Sequence, residues 1–392
     1  MRDFSSRFHK PERVEVYFCG NSLGLQPAGV REAVLEELDD WDRWGVEGHF
    51  KARRPWYDYH EFLQEDMAAV VGATPSETVL MNALTVNLHL MLTSFYRPQG
   101  ERRLILMESG AFPSDRYAVQ SHLQARGLAD AVVELAPRPG ETCLRETDIR
   151  GEILRLGDRL ALVLFAGVHY YTGQAFPIQA MTGWAHQVGA LAGFDLAHAA
   201  GNLELKLHDW GVDFAVWCSY KYLNGGPGGV GGCFVHERHS QDARPRFAGW
   251  WGNDPRTRFT MPDTFVPQAG AAGWQLSNAP VLAMAALAPS LRMFREAGMA
   301  ALRDKSVQLT GQLDRALRRA GVDVITPPER GCQLSLRLGE QARRVCDELM
   351  HQGIVTDYRS PDVVRVAPVP LYNSLVDNEF FMARLQETLA RV

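Results

Sequence analysis

The 392-residue sequence predicts an α/β fold, in which a mainly parallel sheet of seven strands carries helices on both faces and adjoins a smaller α+β domain. Short apolar, β-branched runs recur through the middle of the chain, and such continuous runs are typical of strands buried on both faces. Helical patterns separate several of these runs, and this alternation indicates a parallel sheet between helical layers. The two ends of the chain have different patterns and predict a second unit.

The strands and helices of the larger unit can be located from these patterns. The strand-like runs are TVLMN (78–82), RLILME (103–108), AVVELA (131–136), ALVLFAG (161–167), ALAGFD (190–195), DFAVWC (213–218) and VGGCFVH (230–236). Helical patterns lie at 85–97, 114–126, 146–156 and 179–190.

The flanking segments predict helices and shorter strands. An amphipathic helix is predicted over 28–44, and its apolar face carries Val30, Val34, Leu38, Trp41 and Trp44. After Pro280, a long helical stretch precedes the strand-like runs GVDVITP, CQLSLRL, GIVTDY and VVRVAP, with a helix near 340–351. We therefore predict an N-terminal segment (1–60) that packs with the small domain, a large domain (61–280) that contains the parallel sheet, and a small C-terminal α+β domain (281–392).

Composition excludes several classes of function. The formal net charge is −5 and the basic residues are dispersed, so no nucleic-acid partner is expected. The longest apolar run, LALVLFAGV (160–168), is too short to span a bilayer, and the N-terminus lacks the apolar core of a secretory signal. We therefore expect a cytoplasmic protein without a membrane partner. The six cysteines form no CxxC pair, and no metal site is expected from them.

The stretch WCSYKYLNGGPGGVGG (217–232) contains a glycine pattern that resembles a dinucleotide fingerprint. Gly226, Gly228 and Gly231 spell G-x-G-x-x-G, but a fingerprint loop must open a helix and here the β-prone CFVHE follows. No Gly-Lys-Ser/Thr ends the run, so a P-loop is excluded as well. We interpret the glycines as a tight turn beside the sequence Tyr220-Lys221-Tyr222.

Lys221 and Asp195 each follow a predicted buried strand. A partly desolvated lysine has a lowered pKa and a nucleophilic amine, although a lysine that extends from a strand end to solvent is an alternative. Asp195 lies at the carboxyl end of a parallel strand, where α/β sheets bind ligands, although it could simply cap a turn. In pyridoxal phosphate enzymes an Asp pairs with the pyridine nitrogen and a Lys holds the aldehyde. The two residues therefore suggest a pyridoxal phosphate site.

Two helix starts could bind the cofactor phosphate. Thr85 begins the helix in NALTVNLHLML, and Ser114 precedes the helix in AFPSDRYAVQ. Helix N-termini with hydroxyl groups bind anions, although each residue could be an ordinary N-cap.

Six segments together resemble the kynureninase family, from about residue 15 to 375. They are YFCGNSLGLQP, MNALTVNLHLML, FPSDRYA, GVHYYTGQ, GFDLAHAAGNLELKLHDWGVDFAVWCSYKYLN and RVAPVPLYNS. The resemblance implies a fold-type-I pyridoxal-phosphate enzyme related to class V aminotransferases and cysteine desulfurases. It implies a homodimer with its active site at the subunit boundary. It also implies hydrolysis of L-kynurenine, or of 3-hydroxykynurenine, to anthranilate or 3-hydroxyanthranilate and L-alanine in tryptophan degradation.

The resemblance also assigns residues by motif. The catalytic residues would be Lys221, which holds the cofactor, Asp195, which pairs with the pyridine nitrogen, and Tyr220, the acid–base candidate. The cofactor shell would be Leu84, Thr85, Phe112, Pro113, Ser114, Asp115, Asp195, His198, Tyr220, Lys221, Trp250 and Asn278. The substrate would contact Arg365 through its carboxylate, and His49, Ser277 and Asn278.

Other interpretations of some residues stay open at this point. His49 could be a surface histidine, Trp250 a packing residue and Arg365 an ion-pair partner. A cysteine desulfurase would need a mobile cysteine, for which Cys332 is the candidate, although its place at the start of a predicted strand favours a structural role. Two further alternatives are a cofactor-binding regulator, for which the chain offers no output module, and a nicotinamide oxidoreductase.

Overall fold

The computed structural model of the protein describes residues 3–241 and 243–391. Its helices are α1 (Val30–Trp44), α2 (Gly48–Lys51), α3 (Gln64–Val71), α4 (Leu84–Phe95), α5 (Pro113–Gln124), α6 (Glu146–Leu156), α7 (Ile178–Gln187), α8 (Val281–Ala297), α9 (Met299–Arg319), α10 (Ala342–His351) and α11 (Leu375–Leu389). Its strands are β1 (Phe8–His9), β2 (Val16–Tyr17), β3 (Gln26–Pro27), β4 (Thr78–Leu80), β5 (Leu104–Glu108), β6 (Val132–Leu135), β7 (Leu160–Ala166), β8 (Leu191–Asp195), β9 (Phe214–Cys218), β10 (Gly231–Val235), β11 (Asp323–Val324), β12 (Leu334–Arg337), β13 (Ile354–Val355), β14 (Asp357–Arg359) and β15 (Val363–Val366).

The large sheet contains the seven strands predicted from the sequence, in the order β4-β10-β9-β8-β7-β5-β6. Strands β9, β8, β7, β5 and β6 pair in parallel, and β10 is antiparallel to both of its neighbours. Apolar side chains from alternate positions enter two separate cores, one on each face of the sheet. The predicted mainly parallel sheet with helices on both faces is therefore confirmed.

A second, antiparallel sheet is formed by the C-terminal third of the chain, in the order β11-β12-β15-β14. Helices α9, α10 and α11 contribute to its own apolar core, which also contains Val16 and Phe18 from the N-terminal segment. Strand β2 pairs in parallel with β13, and the Phe18 N–H donates to the Val355 carbonyl at 2.9 Å. The N-terminal segment therefore packs with this sheet, while the boundaries at residues 60 and 280 stay a prediction.

The prediction for the face that helix α1 buries differs from the structure. The helix buries Ala33, Glu37 and Asp40, whereas Trp41 of the predicted apolar face is 62% exposed and Leu38 is also exposed. Glu37 and Asp40 can be buried because neighbouring side chains and backbone groups donate hydrogen bonds to their carboxylates. The carboxylate of Glu37 accepts hydrogen bonds from Arg54, Trp56 and Tyr59, and the carboxylate of Asp40 accepts one from the Arg53 N–H.

The glycine-rich stretch is a turn between two strands. Gly226 and Gly228 have φ values of 84° and 67°, in the left-handed region that favours glycine. Strand β10 begins at Gly231, so a strand follows the glycines where a dinucleotide fingerprint would require a helix.

None of the helices in residues 3–241 and 243–391 is long and apolar enough to cross a membrane.

We predict that Gly193→Ala destabilises the protein by about 1–3 kcal/mol, the usual range for overpacking. A Cβ at Gly193 in β8 would lie 2.1 Å from the Phe214 ring on the neighbouring strand. Gly151→Ala in α6 is the matched control, because a Cβ there meets no atom within 4 Å of the described chain and alanine favours a helix by up to about 1 kcal/mol. Thermal unfolding should give opposite signs for the two variants, and an unchanged midpoint for Gly193→Ala would contradict the predicted overlap.

Candidate active site

A cavity lies at the carboxyl ends of the central parallel strands. Strands β5, β7 and β8 end at Glu108, Ala166 and Asp195, and Lys221 follows the end of β9. The cavity has a volume of about 170 Å³. It is lined by Leu84, Thr85, Glu108, Phe112, Ser114, Asp115, Ala166, Val168, Tyr170, Asp195, Ala197, His198, Tyr220 and Lys221. The structure therefore brings together most of the residues that the sequence assigned to the cofactor.

Lys221 and His198 are in direct contact in this cavity. The Lys221 Nζ lies 2.9 Å from the Nε2 of His198. Burial, and then the charge of Lys221, holds the pKa of His198 well below its ordinary value. His198 is therefore a neutral imidazole, and the tautomer with its proton on Nδ1 can accept a hydrogen bond from Lys221 through Nε2.

Two buried carboxyl groups, Asp195 and Asp115, line the cavity with the lysine. The Oδ1 of Asp195 accepts a hydrogen bond of 2.6 Å from the Ala197 N–H, and the Asp115 carboxyl is in hydrogen-bond contact with Asp195. Burial raises the pKa of Asp195, and burial together with the charge of Asp195 raises the pKa of Asp115 well above its ordinary value. Asp115 is therefore protonated and donates to Asp195.

Glu108 is a site residue that the sequence analysis missed. It is fully buried, its Oε1 accepts the Ala166 N–H at 3.1 Å, and burial raises its pKa to about 8. Glu108 ends the predicted strand RLILME just as Asp195 ends ALAGFD, so the same signal, an acid at the carboxyl end of an apolar run, could have identified it.

Two helix N-termini face the cavity side by side. Thr85 and Ser114 are the second residues of α4 and α5, and their hydroxyl oxygens lie 2.8 Å apart. The N-cap positions belong to Ala83 and Phe112, whose side chains make no capping hydrogen bond. The alternative that Thr85 and Ser114 are ordinary N-caps is therefore wrong, and their hydroxyl groups and the helix ends suit an anionic group.

Aromatic side chains and a segment from the N-terminal part of the chain enclose the lysine. The Lys221 Nζ lies 5.7 Å from the ring centroid of Phe112 and 6.0 Å from that of Tyr220. Burial, and then the Cys218 thiol, raises the pKa of Tyr220, which is therefore a phenol at neutral pH. The Gly24 N–H donates to the Tyr220 carbonyl at 2.8 Å, and a Cβ at Gly24 would lie 2.4 Å from the Lys221 carbonyl oxygen.

Arg365 lies next to the cavity without lining it. Its guanidinium is 1% exposed, forms a salt bridge with Asp357, and donates to Ser22 at 3.0 Å and to the Tyr170 carbonyl at 2.7 Å. Tyr170 lines the cavity, and the charge of Arg365 contributes to the lowered pKa of His198. Arg365 is therefore an ion-pair partner of Asp357, and its proposed binding of the substrate carboxylate stays a prediction.

The remaining assigned residues do not line the cavity. Ser277 and Asn278 are exposed, and neither these residues, His49, Trp250 nor Pro113 lines the cavity. The indole of Trp250 is 46% exposed and donates to the Arg258 carbonyl at 3.1 Å. The ring of His49 makes an edge contact with Trp56 at 5.5 Å.

Cys332 has the environment of a structural thiol. It is completely buried, and burial raises its pKa to about 12. Its N–H donates to the Asn202 side chain at 2.9 Å. A thiol that is buried and protonated does not suit the mobile sulfur acceptor of a desulfurase.

The cavity fits pyridoxal phosphate. Glu108 Oε2, Asp115 Oδ1 and His198 Nδ1 are buried and have no hydrogen-bond partner among residues 3–241 and 243–391, so the polar wall is incomplete without a bound group. An acid, a lysine amine and two helix N-termini offer the contacts that a pyridine nitrogen, an aldehyde and a phosphate require.

Comparisons with known proteins first define the class. The family model for class-V aminotransferases matches residues 16–338. A cysteine desulfurase from Thermococcus onnurineus NA1 superposes with a TM-score of 0.83 at 18% identity, covering 100% of this chain and 99% of that chain. A cysteine desulfurase from Escherichia coli gives a TM-score of 0.81 at 16% identity, covering 99% and 98%. The chain has the fold-type-I architecture of class V aminotransferases.

Closer relatives define the family. The family model for the kynureninase C-terminal domain matches residues 302–385. The kynureninase of Koribacter versatilis is 53% identical over 99% of this chain and 95% of its own length, and that of Myxococcus xanthus is 52% identical over 98% and 94%. The chain belongs to the kynureninase family and is a hydrolase that depends on pyridoxal phosphate.

We predict that Glu108→Gln removes a pH-dependent loss of stability. Burial raises the pKa of Glu108 from an ordinary value of 4.5 to about 8. Between these values the unfolded state ionises while the folded state stays protonated, so the wild type loses stability as the pH rises. From pH 5 to pH 8 the free energy of unfolding of the variant, relative to that of the wild type, should therefore increase by on the order of 1 kcal/mol per pH unit.

This prediction can be measured by urea unfolding of cofactor-free protein at several pH values. The exposed Glu340 provides the control, since Glu340→Gln should leave the difference from the wild type constant over that range. A difference for Glu108→Gln that does not change with pH would mean that Glu108 is ionised in the folded protein.

Proposed function

We propose that this chain hydrolyses the β,γ carbon–carbon bond of L-kynurenine, 3-hydroxykynurenine or both, and releases L-alanine with anthranilate or 3-hydroxyanthranilate. The observation that carries the proposal is the contact of Lys221 with His198 beside Asp195 in the buried cavity. The substrate comes from the names of the relatives, which are kynureninases at 52–53% identity along nearly their whole length.

Lys221 is proposed to hold the cofactor and then to move a proton at the substrate's Cα. When bound, pyridoxal phosphate supplies an electron sink for negative charge that develops on the substrate carbons. A lysine acts as a base only with a neutral amine. The neutral His198 supports this role, because its Nε2 can accept a hydrogen bond from Nζ without adding positive charge.

Asp195 is proposed to hold the proton of the pyridine nitrogen. Its carboxylate accepts from the Ala197 N–H and from Asp115, and both contacts favour its ionised form. A cation placed opposite it would oppose the effect of burial and lower its pKa. The second acid, Asp115, provides this hydrogen bond without adding a negative charge, because it is protonated.

Tyr220 is proposed to exchange the proton that accompanies cleavage of the carbon–carbon bond. Its phenol lines the cavity next to Lys221, and its raised pKa keeps it protonated before reaction. A phenol can give and recover a proton there without holding a permanent charge. Arg365 is proposed to bind the substrate carboxylate, a task for which its paired N–H donors are suited, and Asp357 would orient it.

We further propose a homodimer in which Trp250 and Asn278 complete the cavity of the partner subunit. Both residues are exposed, and neither lines the cavity of its own chain. Phe50, Tyr57, Trp250 and Phe259 form an aromatic surface cluster whose ring centroids lie 5.2–6.0 Å apart along the series of contacts. Exposed apolar patches of this kind are typical of protein interfaces.

We also propose that the protein is cytoplasmic, as the sequence predicts.

The purified protein should be yellow and should release fluorescent anthranilate products from L-kynurenine or 3-hydroxykynurenine. Lys221→Ala should lose the absorbance of covalently held cofactor and lower turnover by about 10³-fold or more, because the amine is both the attachment point and the base. Lys221→Arg is the matched variant, since it keeps the charge but should be equally inactive. If neither substrate is cleaved by the wild type, the proposed function is wrong.

Mixed dimers test which subunit supplies Asn278. Lys221→Ala and Asn278→Ala subunits, inactive alone, should regain up to about a quarter of wild-type activity when coexpressed, because half the dimers are mixed and each holds one intact cavity. Lys221→Ala mixed with Asp195→Ala is the control, and it should show the same recovery only if those two residues come from different subunits. No recovery with Asn278→Ala would mean that Asn278 serves its own subunit, and activity of Asn278→Ala alone would mean that it serves neither cavity.

A further inference from the structure

Two histidines and a glutamate meet at the edge of the large sheet opposite Lys221. Glu77 ends a short 3₁₀ helix (Pro75–Glu77) before β4, His208 lies in the loop between β8 and β9, and His236 follows β10. Their nitrogen and oxygen ligand atoms all lie within 4.8 Å of one another. Val235 pairs with Phe214 at the start of β9, whereas Lys221 follows the end of that strand, so the cluster is separate from the cavity.

The carboxylate of Glu77 is held in a fixed orientation. It is completely buried, and its two oxygens accept the Thr74 N–H at 2.9 Å and the Glu237 N–H at 2.8 Å. Outer hydrogen bonds of this kind orient the carboxylate ligands of metal sites. The carboxylate is therefore positioned by the backbone before either histidine contributes.

The two imidazoles lie on one side of this carboxylate. His208 Nδ1 lies 3.0 and 3.1 Å from its oxygens, and His236 Nδ1 lies 3.7 Å from Oε1. The rings are stacked, with centroids 5.2 Å apart and an interplanar angle of 15°. A tetrahedral ion with ligand bonds of about 2.0–2.2 Å separates its ligands by roughly 3.4 Å. The Glu77–His208 separations are close to this value, whereas the Nδ1 of His236 accepts the Arg238 N–H at 3.2 Å and would exchange that hydrogen bond for the ion.

The surroundings favour a cation with an open position. The side chain of His208 is 33% exposed, so water can complete the coordination. Asp209 and Glu237 add negative charge near His208. The positive charge of Arg238 opposes this, but its guanidinium is engaged by the Asp213 carboxylate at 2.6 Å.

We propose that Glu77, His208 and His236 bind one divalent transition-metal ion of the zinc class. Two imidazoles and a carboxylate are a donor set that zinc favours over the oxygen-binding calcium and magnesium ions. The ion joins three segments that are distant in sequence, so its role is structural and distinct from the reaction at Lys221. Cysteine spacing could not reveal this site, because none of its ligands is a cysteine.

The test is calorimetric titration of the holoenzyme with Zn²⁺, together with thermal unfolding. We expect one equivalent per chain with a dissociation constant of about 10 µM or below, and a rise in the unfolding midpoint with zinc. His208→Asn and His236→Asn should each weaken binding at least about 10-fold. An asparagine amide can still donate to Glu77 at 208, or accept the Arg238 N–H at 236, so the variants keep the local hydrogen bonds without a zinc ligand.

His351→Asn on α10 is the control and should leave zinc binding unchanged. Cofactor absorbance and turnover without zinc, measured for all three variants, verify that the fold and the cavity are intact. Failure of the wild type to bind an equivalent of Zn²⁺, or equal binding by His208→Asn and the wild type, would overturn the proposal. Zinc titration, thermal unfolding and cofactor absorbance do not require kynurenine cleavage, so the outcome of the test is independent of the proposed function.

Discussion

The burial of three carboxyl groups near the Lys221 amine is the constraint on which the structure of the site depends. Ionised groups are costly to bury unless each has a partner, and Lys221, Asp195, Asp115 and Glu108 are all enclosed at one edge of the large sheet. The parallel order of β5, β7, β8 and β9 brings their carboxyl ends to that edge. Protonation of two of the acids reduces the charge that remains to be balanced, which leaves one carboxylate for a cationic ring.

The sequence predicted the parts of this arrangement that depend on local patterns. The seven strands could be recognised because each is a continuous apolar run, and Asp195 and Lys221 because each follows such a run. The buried face of α1 could not be predicted, because periodicity gives the apolar face of a helix but not what covers it. Glu37 is buried only because residues about 20 positions away supply hydrogen bonds. The pairing of Arg365 with Asp357 likewise depends on strand register.

The cysteine desulfurases have the same fold as this chain at low sequence identity, so the fold alone does not determine the reaction. Chains that share 16–18% of their residues with this one superpose along nearly its whole length, so the fold is shared where the sequences differ, and one fold can host different reactions. In this chain the Cys332 thiol is fully buried and protonated, so it is withdrawn from reaction. The reaction in this family therefore has to be understood from side chains at the cavity.

The segment from β2 to Gly24 has a consequence for the design of variants. It pairs with β13 of the small sheet at one end, and at the other it binds the backbone of Tyr220 and allows no side chain between itself and Lys221. A replacement of the C-terminal unit by that of a relative would therefore change the backbone beside the reactive lysine as well. Chimeras that exchange this segment together with residues 281–391 take its pairing with β13 and its contact with the Tyr220 and Lys221 backbone from the same relative. The two distant stretches of sequence therefore have to be exchanged as one unit.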